Sequence, residues 1–310
     1  MNAAPLLDVA GVVKDYAQLR AVDRVTFRLA PGQVVAILGP NGAGKSSLFR
    51  MLVGFMRPDQ GHIRYLARDG RTHDSVLAAE LGFMPEERGL YQDVKVQDVL
   101  AYFGQLRGLA EEPAHVQVTK ILKELQIPQH AGKRVKELSK GNQQKVQLAA
   151  CLVGDPRVLV LDEPFSGLDP INQESLLEYL GELAARGIGI LLSAHHLQLV
   201  ERVADHALIL NRGAVVAEHH GRAKPLTQRV RVALADTPDF ADAVAALVDA
   251  GGVAAGERIV EWDGDLPAAA AATVAALLRA RAIASVTTGS PSLSETFFSA
   301  LDGERQEAVP

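Results

Sequence analysis

The hydrophobic positions of this chain predict an α/β core that is interrupted by a helical segment. Gln33–Leu38 and Val158–Leu161 are dominated by continuous apolar runs, which are typical of strands buried on both faces of a sheet. Between them, residues 88–137 carry apolar side chains at three- and four-residue steps, most clearly in Val96–Leu106 and Ala114–Leu125. Further strands are predicted at Leu6–Val13, Arg24–Leu29, His62–Leu66, Leu81–Met84, Ile188–Ser193, Ala207–Leu210 and Ala214–Ala217.

A second, smaller α+β domain is predicted after the connector Gly221-Arg-Ala-Lys-Pro225. Its predicted elements are a strand at Arg229–Leu234, a helix at Asp239–Ala250, a weak strand near Val253, a strand at Arg258–Trp262, a helix at Ala268–Arg281 and a strand at Ala282–Thr287. This βαββαβ order is that of a ferredoxin-like unit. We therefore expect a first domain at residues 1–222, with a helical subdomain at about residues 88–150, and an accessory C-terminal domain at residues 223–310.

The composition is that of a globular chain with an acidic balance. Hydrophobic residues make up 48% of the 310 residues, which is enough for a substantial buried core. The formal net charge is -5, whereas a nucleic-acid binder is usually basic over at least one domain, so we expect no nucleic-acid partner. The single cysteine, Cys151, excludes an intramolecular disulfide, and this favours a reducing compartment.

Neither the N-terminal residues nor the most apolar run has the pattern of a membrane element. Residues 1–8 lack the basic region and the apolar stretch of a secretory signal. The run Leu266–Leu278 is too short to cross a bilayer, and its alanine content suits a packed helix. If the protein serves a membrane process, we expect the membrane part to be another polypeptide.

The segment Gly39-Pro-Asn-Gly-Ala-Gly-Lys-Ser46 matches a P-loop and lies between a predicted strand and a predicted helix, as this motif requires. In such a loop, glycines let backbone N–H groups close around phosphates, and the helix N-terminus adds partial positive charge. Lys45 is expected to reach the β- and γ-phosphates of ATP, and the Ser46 hydroxyl to bind Mg2+. The loop residues that we expect to contact the nucleotide are Gly39, Asn41, Gly42, Gly44, Lys45, Ser46 and Ser47.

Two carboxylates, Asp162 and Glu163, follow the apolar strand Val158–Leu161. Ligands bind at the carboxyl ends of the strands in open α/β sheets, so both side chains are expected at the phosphate site. Asp162 is the expected partner of the Mg2+ shell, as in P-loop NTPases generally. Glu163 is the expected general base that polarises the attacking water.

Six short segments carry a specific resemblance to a known family. They are Gly39-Pro-Asn-Gly-Ala-Gly-Lys-Ser46, Met84-Pro-Glu86, Leu138-Ser-Lys-Gly-Asn-Gln143, Val158-Leu-Val-Leu-Asp-Glu163, Ser166-Gly-Leu-Asp169 and Ser193-Ala-His195. Their order and spacing resemble the nucleotide-binding subunit of ABC transporters over roughly the first 220 residues. The resemblance implies a P-loop NTPase fold with a helical insertion. It also implies an exporter-type bacterial ATPase that acts on a separately encoded permease, at the cytoplasmic face of the membrane.

The resemblance implies roles for three residues around the nucleotide. His195 corresponds to a histidine that senses the γ-phosphate, and Tyr16, after the first strand, to an aromatic residue that stacks on adenine. Glu86 stands where most of the family has glutamine. A carboxylate can still coordinate Mg2+ or position water, but it adds negative charge beside the triphosphate. The stretch from Pro85 to Tyr91 resembles drug- and ion-export subunits, so we interpret Glu86 as a trait of that subgroup.

The segment around Ser139 implies that the active unit is a dimer. Ser139 is a good N-cap for the helix predicted after it, and Gly141 allows close backbone approach to phosphate. In the family, this segment contacts ATP held by the opposite subunit, and Asp169 would lie at the same interface. The chain departs from the commoner signature at Lys140 and Asn142. Because one chain has one P-loop and one signature, a homodimer with two composite sites is expected.

Three alternatives fit parts of the sequence. A soluble, non-transport ABC ATPase that acts in translation typically holds two cassettes in one chain, and this chain has one. A DNA-repair or chromosome-structure ATPase needs long heptad arms between P-loop and signature, where the roughly 90 residues present contain none. A nucleotide-binding scaffold without turnover is disfavoured by Glu163. The cargo is not specified by this chain, because specificity lies in the permease.

Overall fold

The computed structural model describes residues 4–87, 89–221, 229–263, 266–289 and 292–307. These residues form two compact units. The first unit contains the described residues up to Gly221 and those from Thr296 onward, and the second contains the described residues between them, up to Glu295. The predicted domain limits at residues 222 and 223 lie outside the described residues, so that boundary stays a prediction.

Strands and helices alternate along the first unit. Its strands are β1 (Leu7–Tyr16), β2 (Leu19–Leu29), β3 (Val34–Leu38), β4 (Gln60–Leu66), β5 (Thr72–His73), β6 (Leu81–Met84), β7 (Val158–Asp162), β8 (Gly189–Ser193), β9 (His206–Asn211) and β10 (Ala214–His220). Its α-helices are α1 (Lys45–Leu52), α2 (Val96–Leu106), α3 (Glu111–Glu124), α4 (Lys140–Leu152), α5 (Pro170–Ala185) and α6 (Leu197–Val203). Short 3-10 helices lie at Ala78–Glu80, Pro128–His130 and Val135–Glu137.

The second unit has the chain order βαββαβ. From residue 229 onward the elements are β11 (Arg229–Leu234), α7 (Phe240–Asp249), β12 (Val253–Gly256), β13 (Ile259–Asp263), α8 (Ala268–Arg279), β14 (Ile283–Gly289) and α9 (Leu293–Glu307), of which α9 continues into the residues of the first unit from Thr296 onward. The four strands form one antiparallel sheet of order β12-β13-β11-β14. Its core joins strand and helix residues, including Val232, Leu247, Val260, Trp262 and Val274.

The first unit is built around a six-stranded sheet of order β10-β9-β3-β8-β7-β6. Five of these strands are parallel, and β10, at one edge, is antiparallel to β9. Every residue of β3, β7 and β8 is buried, as their apolar sequences predict. Because these strands are parallel, the residues that follow them reach the same edge of the sheet, where Asp162 is paired with Ser193.

An antiparallel sheet of order β2-β1-β4-β5 shares the hydrophobic core with this six-stranded sheet. The shared core includes residues of β2, β3, α1 and β4, namely Phe27, Ile37, Leu48, Phe49 and Tyr65. β1 continues past its predicted end at Val13, because it pairs with β2 as far as Tyr16 and Leu19. Tyr16 is therefore the last residue of the strand rather than a residue after it.

The helical insertion consists of α2, α3 and α4. α2 has the limits that its apolar spacing predicts, and it buries Val96, Val99 and Leu100. α4 begins after Ser139, whose Oγ accepts a hydrogen bond from the backbone N–H of Asn142 at 3.3 Å. This bond confirms the expected N-cap.

Most of the apolar run Leu266–Leu278 forms α8, which is 12 residues long. The helix buries Ala270 and Val274 in the core of the second unit. Within the described part of the chain, none of the helices has the length and apolar content that a bilayer crossing requires.

Candidate active site

An open cleft of about 460 Å³ lies where the residues after β3, β6, β7 and β8 meet. A volume of this size is typical of a small-molecule site. The cleft contains most of the predicted site residues, namely Tyr16, Asn41, Gly42, Gly44, Lys45, Ser46, Ser47, Glu86, Asp162, Glu163 and His195. It also contains Leu19, Ala21 and Ala43, which the sequence had not singled out.

Two glycines of the loop before α1 are required by close backbone contacts. Gly44 has a φ of +102°, and a Cβ there would lie 2.1 Å from the carbonyl oxygen of Ala21. Gly39 has a φ of +150°, and a Cβ there would lie 2.2 Å from the carbonyl oxygen of Leu210. Both positions therefore exclude a side chain, because neighbouring backbone would have to move.

The ammonium group of Lys45 is held by its own loop. Its Nζ donates hydrogen bonds to the carbonyl oxygens of Gly39, at 2.7 Å, and Pro40, at 3.1 Å. Burial lowers the pKa of Lys45, and carboxylates around the cleft, chiefly that of Glu163, oppose this shift. The lysine thus supplies a partly desolvated positive charge at the floor of the cleft.

Asp162 and Glu163 are connected through a buried serine at the end of β8. The hydroxyl of Ser193 donates to Asp162 Oδ1 at 2.5 Å and accepts from the backbone N–H of Glu163 at 3.0 Å. On the other side, Ser46 Oγ donates to Asp162 Oδ2 at 3.4 Å. Sequence reasoning had not named Ser193 as a site residue, although a polar residue that ends an apolar strand is a usable signal. The network fixes both carboxylate residues at the sheet edge.

Glu163 is buried and has a left-handed backbone conformation with a φ of +54°. Its Oε2 accepts a hydrogen bond from the backbone N–H of His195 at 3.3 Å, and Oε1 lies 3.3 Å from His195 Nε2. Oε1 is nevertheless buried without a well-formed hydrogen bond among the described residues. Burial raises the pKa of Glu163, while His195 opposes the shift. The carboxylate therefore has an acceptor oxygen free to take a proton or a hydrogen bond.

Tyr16 and Glu86 line the cleft from its more exposed side. The hydroxyl of Tyr16 donates to Met56 Sδ at 3.1 Å. The side chain remains accessible, because the residue is 39% exposed. Lys14 Nζ lies 5.9 Å from the centre of the same ring. Glu86 follows β6 and is exposed to solvent.

Four predicted site residues do not line this cleft in a single chain: Gly39, at the start of the phosphate loop, and Ser139, Gly141 and Asp169. Ser139 and Asp169 are exposed and cap α4 and α5, the latter by accepting a 2.9 Å hydrogen bond from the backbone N–H of Asn172. Gly141 lies beside the loop that ends at Asp169, because a Cβ there would be 3.5 Å from the carbonyl oxygen of Gly167. The two helix starts thus form a separate exposed surface.

Two buried glutamines of α4 connect that surface to the cleft. Gln144 Nε2 donates to the carbonyl oxygens of Glu163 and the next residue, each at 3.2 Å. Gln147 Nε2 donates to the carbonyl oxygens of Pro85, at 2.9 Å, and Glu87, at 3.3 Å. The backbone on both sides of Glu86, and at Glu163, is therefore bonded to one helix.

Comparison with known proteins agrees with this arrangement. The family described as ABC transporter matches residues 22–166. An uncharacterised ABC transporter ATP-binding protein of Methanocaldococcus jannaschii is 36% identical over 226 residues, which cover 73% of this chain and 81% of that protein. The Nod factor export ATP-binding protein I of Paraburkholderia xenovorans is 37% identical over 207 residues, 67% of this chain and 68% of that protein. The solved structure of an ATP-binding subunit of an ABC transporter has a TM-score of 0.62 at 32% identity, covering 69% of this chain and 90% of that one.

Proposed function

Because the chain belongs to the ABC transporter family and carries its ATPase domain, we propose that it hydrolyses ATP to drive export through a separate permease. In this proposal two copies close around two ATP molecules, and the permease holds them at the cytoplasmic face of the membrane. The observation that carries it is the cleft shared by the phosphate loop, Asp162, Glu163 and His195. Export is favoured by the similarity to a Nod factor export subunit.

Glu163 is the proposed general base. It lines the cleft, and its buried Oε1 lacks a well-formed hydrogen bond among the described residues, so a water molecule that enters the site is a suitable partner. The raised pKa of Glu163 lies closer to neutral pH, and a general base is more effective when its pKa is near the working pH. His195, beside the same carboxylate, can donate a hydrogen bond to a γ-phosphate oxygen and help to orient that water.

The nucleotide is proposed to bind along the loop before α1. Lys45 would exchange the carbonyls of Gly39 and Pro40 for β- and γ-phosphate oxygens, which are stronger partners because they are charged. The backbone of Asn41, Gly42 and Gly44, with Ser46 and Ser47 at the start of α1, would surround the phosphates. The exposed ring of Tyr16 would stack on adenine.

Mg2+ fits the oxygen atoms that the cleft offers. Ser46 Oγ and Asp162 Oδ2 lie 3.4 Å apart, so a hydroxyl and a carboxylate are already close together. Hard oxygen ligands of this kind, completed by phosphate oxygens and water, suit Mg2+. The exposed carboxylate of Glu86 lines the same cleft and can add a ligand or position water. When bound, the ion would neutralise charge on the phosphates.

The exposed surface of Ser139, Gly141 and Asp169 is proposed to complete the site of a second copy. These residues do not line the cleft of their own chain, although their types and helix-terminal positions suit phosphate contact. In a head-to-tail pair with two-fold symmetry, each of the two sites would combine the cleft of one copy with this surface of the other. If ATP binds the closed pair more tightly than the open one, it would shift the population of pairs toward the closed state.

The surface that starts near Glu87 and runs to Tyr102 is proposed to receive the permease. Among the described residues, four large apolar side chains are exposed there and at the end of α2: Tyr91 is 57%, Val94 38%, Tyr102 45% and Leu106 63% exposed. The ring centroids of Tyr91 and Tyr102 are 6.3 Å apart, so these two exposed groups are contiguous. Contiguous apolar surface of this kind marks interaction sites.

The accessory C-terminal domain, residues 223–310, is proposed to be ferredoxin-like. The observation in favour is its βαββαβ order combined with the antiparallel sheet order β12-β13-β11-β14. Its core has no charged residue among the described members, and Trp262 is buried within it. A stabilising or dimerising module is the role that this arrangement suits.

The test is affinity purification of the tagged chain from solubilised membranes, followed by mass spectrometry and measurement of ATP hydrolysis. Recovery of a multi-span permease, with hydrolysis lost in Lys45→Ala, would support the transporter proposal. Recovery of ribosomes or DNA-associated proteins, with hydrolysis intact in the wild-type eluate, would favour a non-transport ABC ATPase instead. The Lys45→Ala variant distinguishes hydrolysis by this chain from hydrolysis by a contaminant.

A further inference from the structure

Three metal-ligating side chains lie together on the edge hairpin of the six-stranded sheet. His206 is the first residue of β9, and Glu218 and His220 belong to β10. One ligand atom from each residue lies within 4.8 Å of the others. None of the three lines the proposed ATP cleft.

The strand pairing places these three side chains on one face. His206 pairs directly with His220, and Glu218 is two residues before His220, so the period of two along a strand puts all three on the same side. His219, between them, is buried on the opposite face. The imidazole rings of His206 and His220 stack with centroids 4.4 Å apart, and His206 Nε2 lies 2.9 Å from Glu218 Oε2.

The backbone that carries the cluster is fixed from both sides. β9 is bonded to β10 on one side and to β3 on the other, where His206 pairs with Val35. Val35 lies near the amino end of β3, whereas the phosphate loop follows its carboxyl end, so the cluster and the ATP cleft lie at opposite ends of this strand. Because this backbone is held in place, rotation of the side chains is the movement by which the three ligand atoms would close around an ion.

We propose that His206, Glu218 and His220 bind one divalent transition-metal ion of the zinc type. Two imidazoles and one carboxylate are ligands that such ions prefer, whereas Mg2+ and Ca2+ prefer oxygen alone. Zinc bonds to nitrogen and oxygen are about 2.0–2.2 Å long. Tetrahedral ligand atoms are then about 3.4 Å apart, so each pair of ligand atoms, now within 4.8 Å, would approach by at most about 1.4 Å. The fourth position is left for water.

The experiment is a titration of the untagged, full-length chain with ZnCl2 by isothermal calorimetry, without nucleotide. One ion per chain is expected, with affinity at least about tenfold weaker in His220→Ala and in Glu218→Gln. Neither altered residue is buried, so the fold should survive, and unchanged far-UV circular dichroism checks this. His62→Ala is the matched control, because His62 is also an exposed strand histidine and should leave binding unchanged.

Two outcomes would overturn the site. Zinc binding that is equal in the wild type, His220→Ala and Glu218→Gln would show that these residues are not ligands. Binding that is lost in His195→Ala but kept in His220→Ala would place the ion in the ATP cleft instead. Co2+ gives an independent readout, since intense visible absorption bands in the wild type and not in His220→Ala would report tetrahedral coordination by this cluster.

Discussion

The side-chain amide of Gln144 donates a 3.2 Å hydrogen bond to the backbone carbonyl of Glu163, and both residues are buried. Glu163 has a φ of +54°, a conformation that costs about 1–3 kcal/mol outside glycine. The surrounding structure must hold the residue in place, and Gln144 supplies one of the bonds that do so. Because Ser139 is the N-cap of α4, the same helix connects the proposed partner surface to the proposed general base.

Replacing Gln144 by alanine should lower kcat with little change in ATP affinity. The substitution removes one of two donors to the carbonyl of Glu163, which keeps a 3.1 Å bond from the backbone N–H of Ser166, and it removes the donor to the carbonyl of Pro164. An unsatisfied carbonyl costs about 1–3 kcal/mol of stability, and the loss lets the backbone of Glu163 relax. We expect a loss in kcat of about tenfold or more, measured by phosphate release on folded protein, while nucleotide affinity stays within about twofold.

The control is Gln117→Ala, which removes the acceptor of a 2.8 Å hydrogen bond from the backbone N–H of Gly154. Gln117 does not line the cleft, so this variant should lose stability but keep its kcat. If Gln144→Ala and Gln117→Ala lose stability equally and both retain full kcat, the amide has only a structural role.

Replacing Glu163 by glutamine should abolish turnover and trap an ATP-bound dimer. Glutamine keeps the shape of the side chain but cannot accept the proton, and the loss of a general base costs about 10²–10⁴-fold in rate. Lys45, Ser46 and Asp162 remain, so ATP should still bind. Light scattering after gel filtration with ATP and Mg2+ measures the mass, both for the isolated chain and for the complex purified from membranes.

Glu174→Gln is the matched control for that experiment, because Glu174 is half-buried and bonded to Arg202 rather than placed in the cleft. It should show wild-type turnover and no trapped dimer. Full turnover in Glu163→Gln would exclude it as the base, and a monomer in both preparations would exclude the composite site.

Glu163→Gln should also melt at a higher temperature than the wild type at neutral pH without nucleotide. Burial raises the pKa of Glu163 above its ordinary value of 4.5. A raised carboxyl pKa gives stability that is fully present below the ordinary value and is lost as the pH rises through the folded value. Ionised Glu163 therefore destabilises the fold at neutral pH, and the neutral amide removes this cost.

Thermal unfolding followed by circular dichroism across the range from pH 4 to 8 measures this effect. The difference in melting temperature between Glu163→Gln and the wild type should shrink as the pH falls and wild-type Glu163 becomes protonated. Glu174→Gln should behave with the opposite sign, since the hydrogen bond from Arg202 lowers the pKa of Glu174. A higher melting temperature for the wild type than for Glu163→Gln at neutral pH would contradict the argument from burial.

The phosphate loop and the strand before it could be predicted from the sequence because their chemistry is local. Lys45 and Ser46 directly follow the glycines, and β3 is apolar throughout. α2 likewise has the limits that its apolar spacing indicates. In each case the signal and the structure it specifies lie within one short segment.

The partners of Ser193 and Gln147 could not be predicted in this way, because they are distant in sequence. Ser193 meets Asp162 only because β8 lies next to β7, and that neighbour relationship depends on the crossover through α5. Gln147 donates to a carbonyl 62 residues earlier, at Pro85. α5 is itself missing from the predicted elements, although Asp169 followed by proline is a typical helix start.

Replacing Glu86 by glutamine should leave ATP binding nearly intact and change mainly turnover or its coupling to transport. The side chain is exposed at the edge of the cleft, so its contribution to binding is screened by solvent. Equilibrium binding of ATP with Mg2+, compared with kcat in the membrane complex, separates the two effects. A loss of affinity above about tenfold would instead identify Glu86 as a principal Mg2+ ligand.

Replacing Gly44 by alanine should abolish nucleotide binding and destabilise the first unit. The added Cβ would lie 2.1 Å from the carbonyl oxygen of Ala21, so the backbone of the phosphate loop or of β2 must move. Gly70→Ala is the control, because its φ of +79° imposes a similar left-handed strain but the Cβ meets no atom within 4 Å. Strain alone costs about 1–2 kcal/mol, and we expect Gly44→Ala to exceed the control by several kcal/mol in urea unfolding. Equal losses in the two variants would show that the close contact with Ala21 is relieved at little cost, and that the glycine is needed only for its φ.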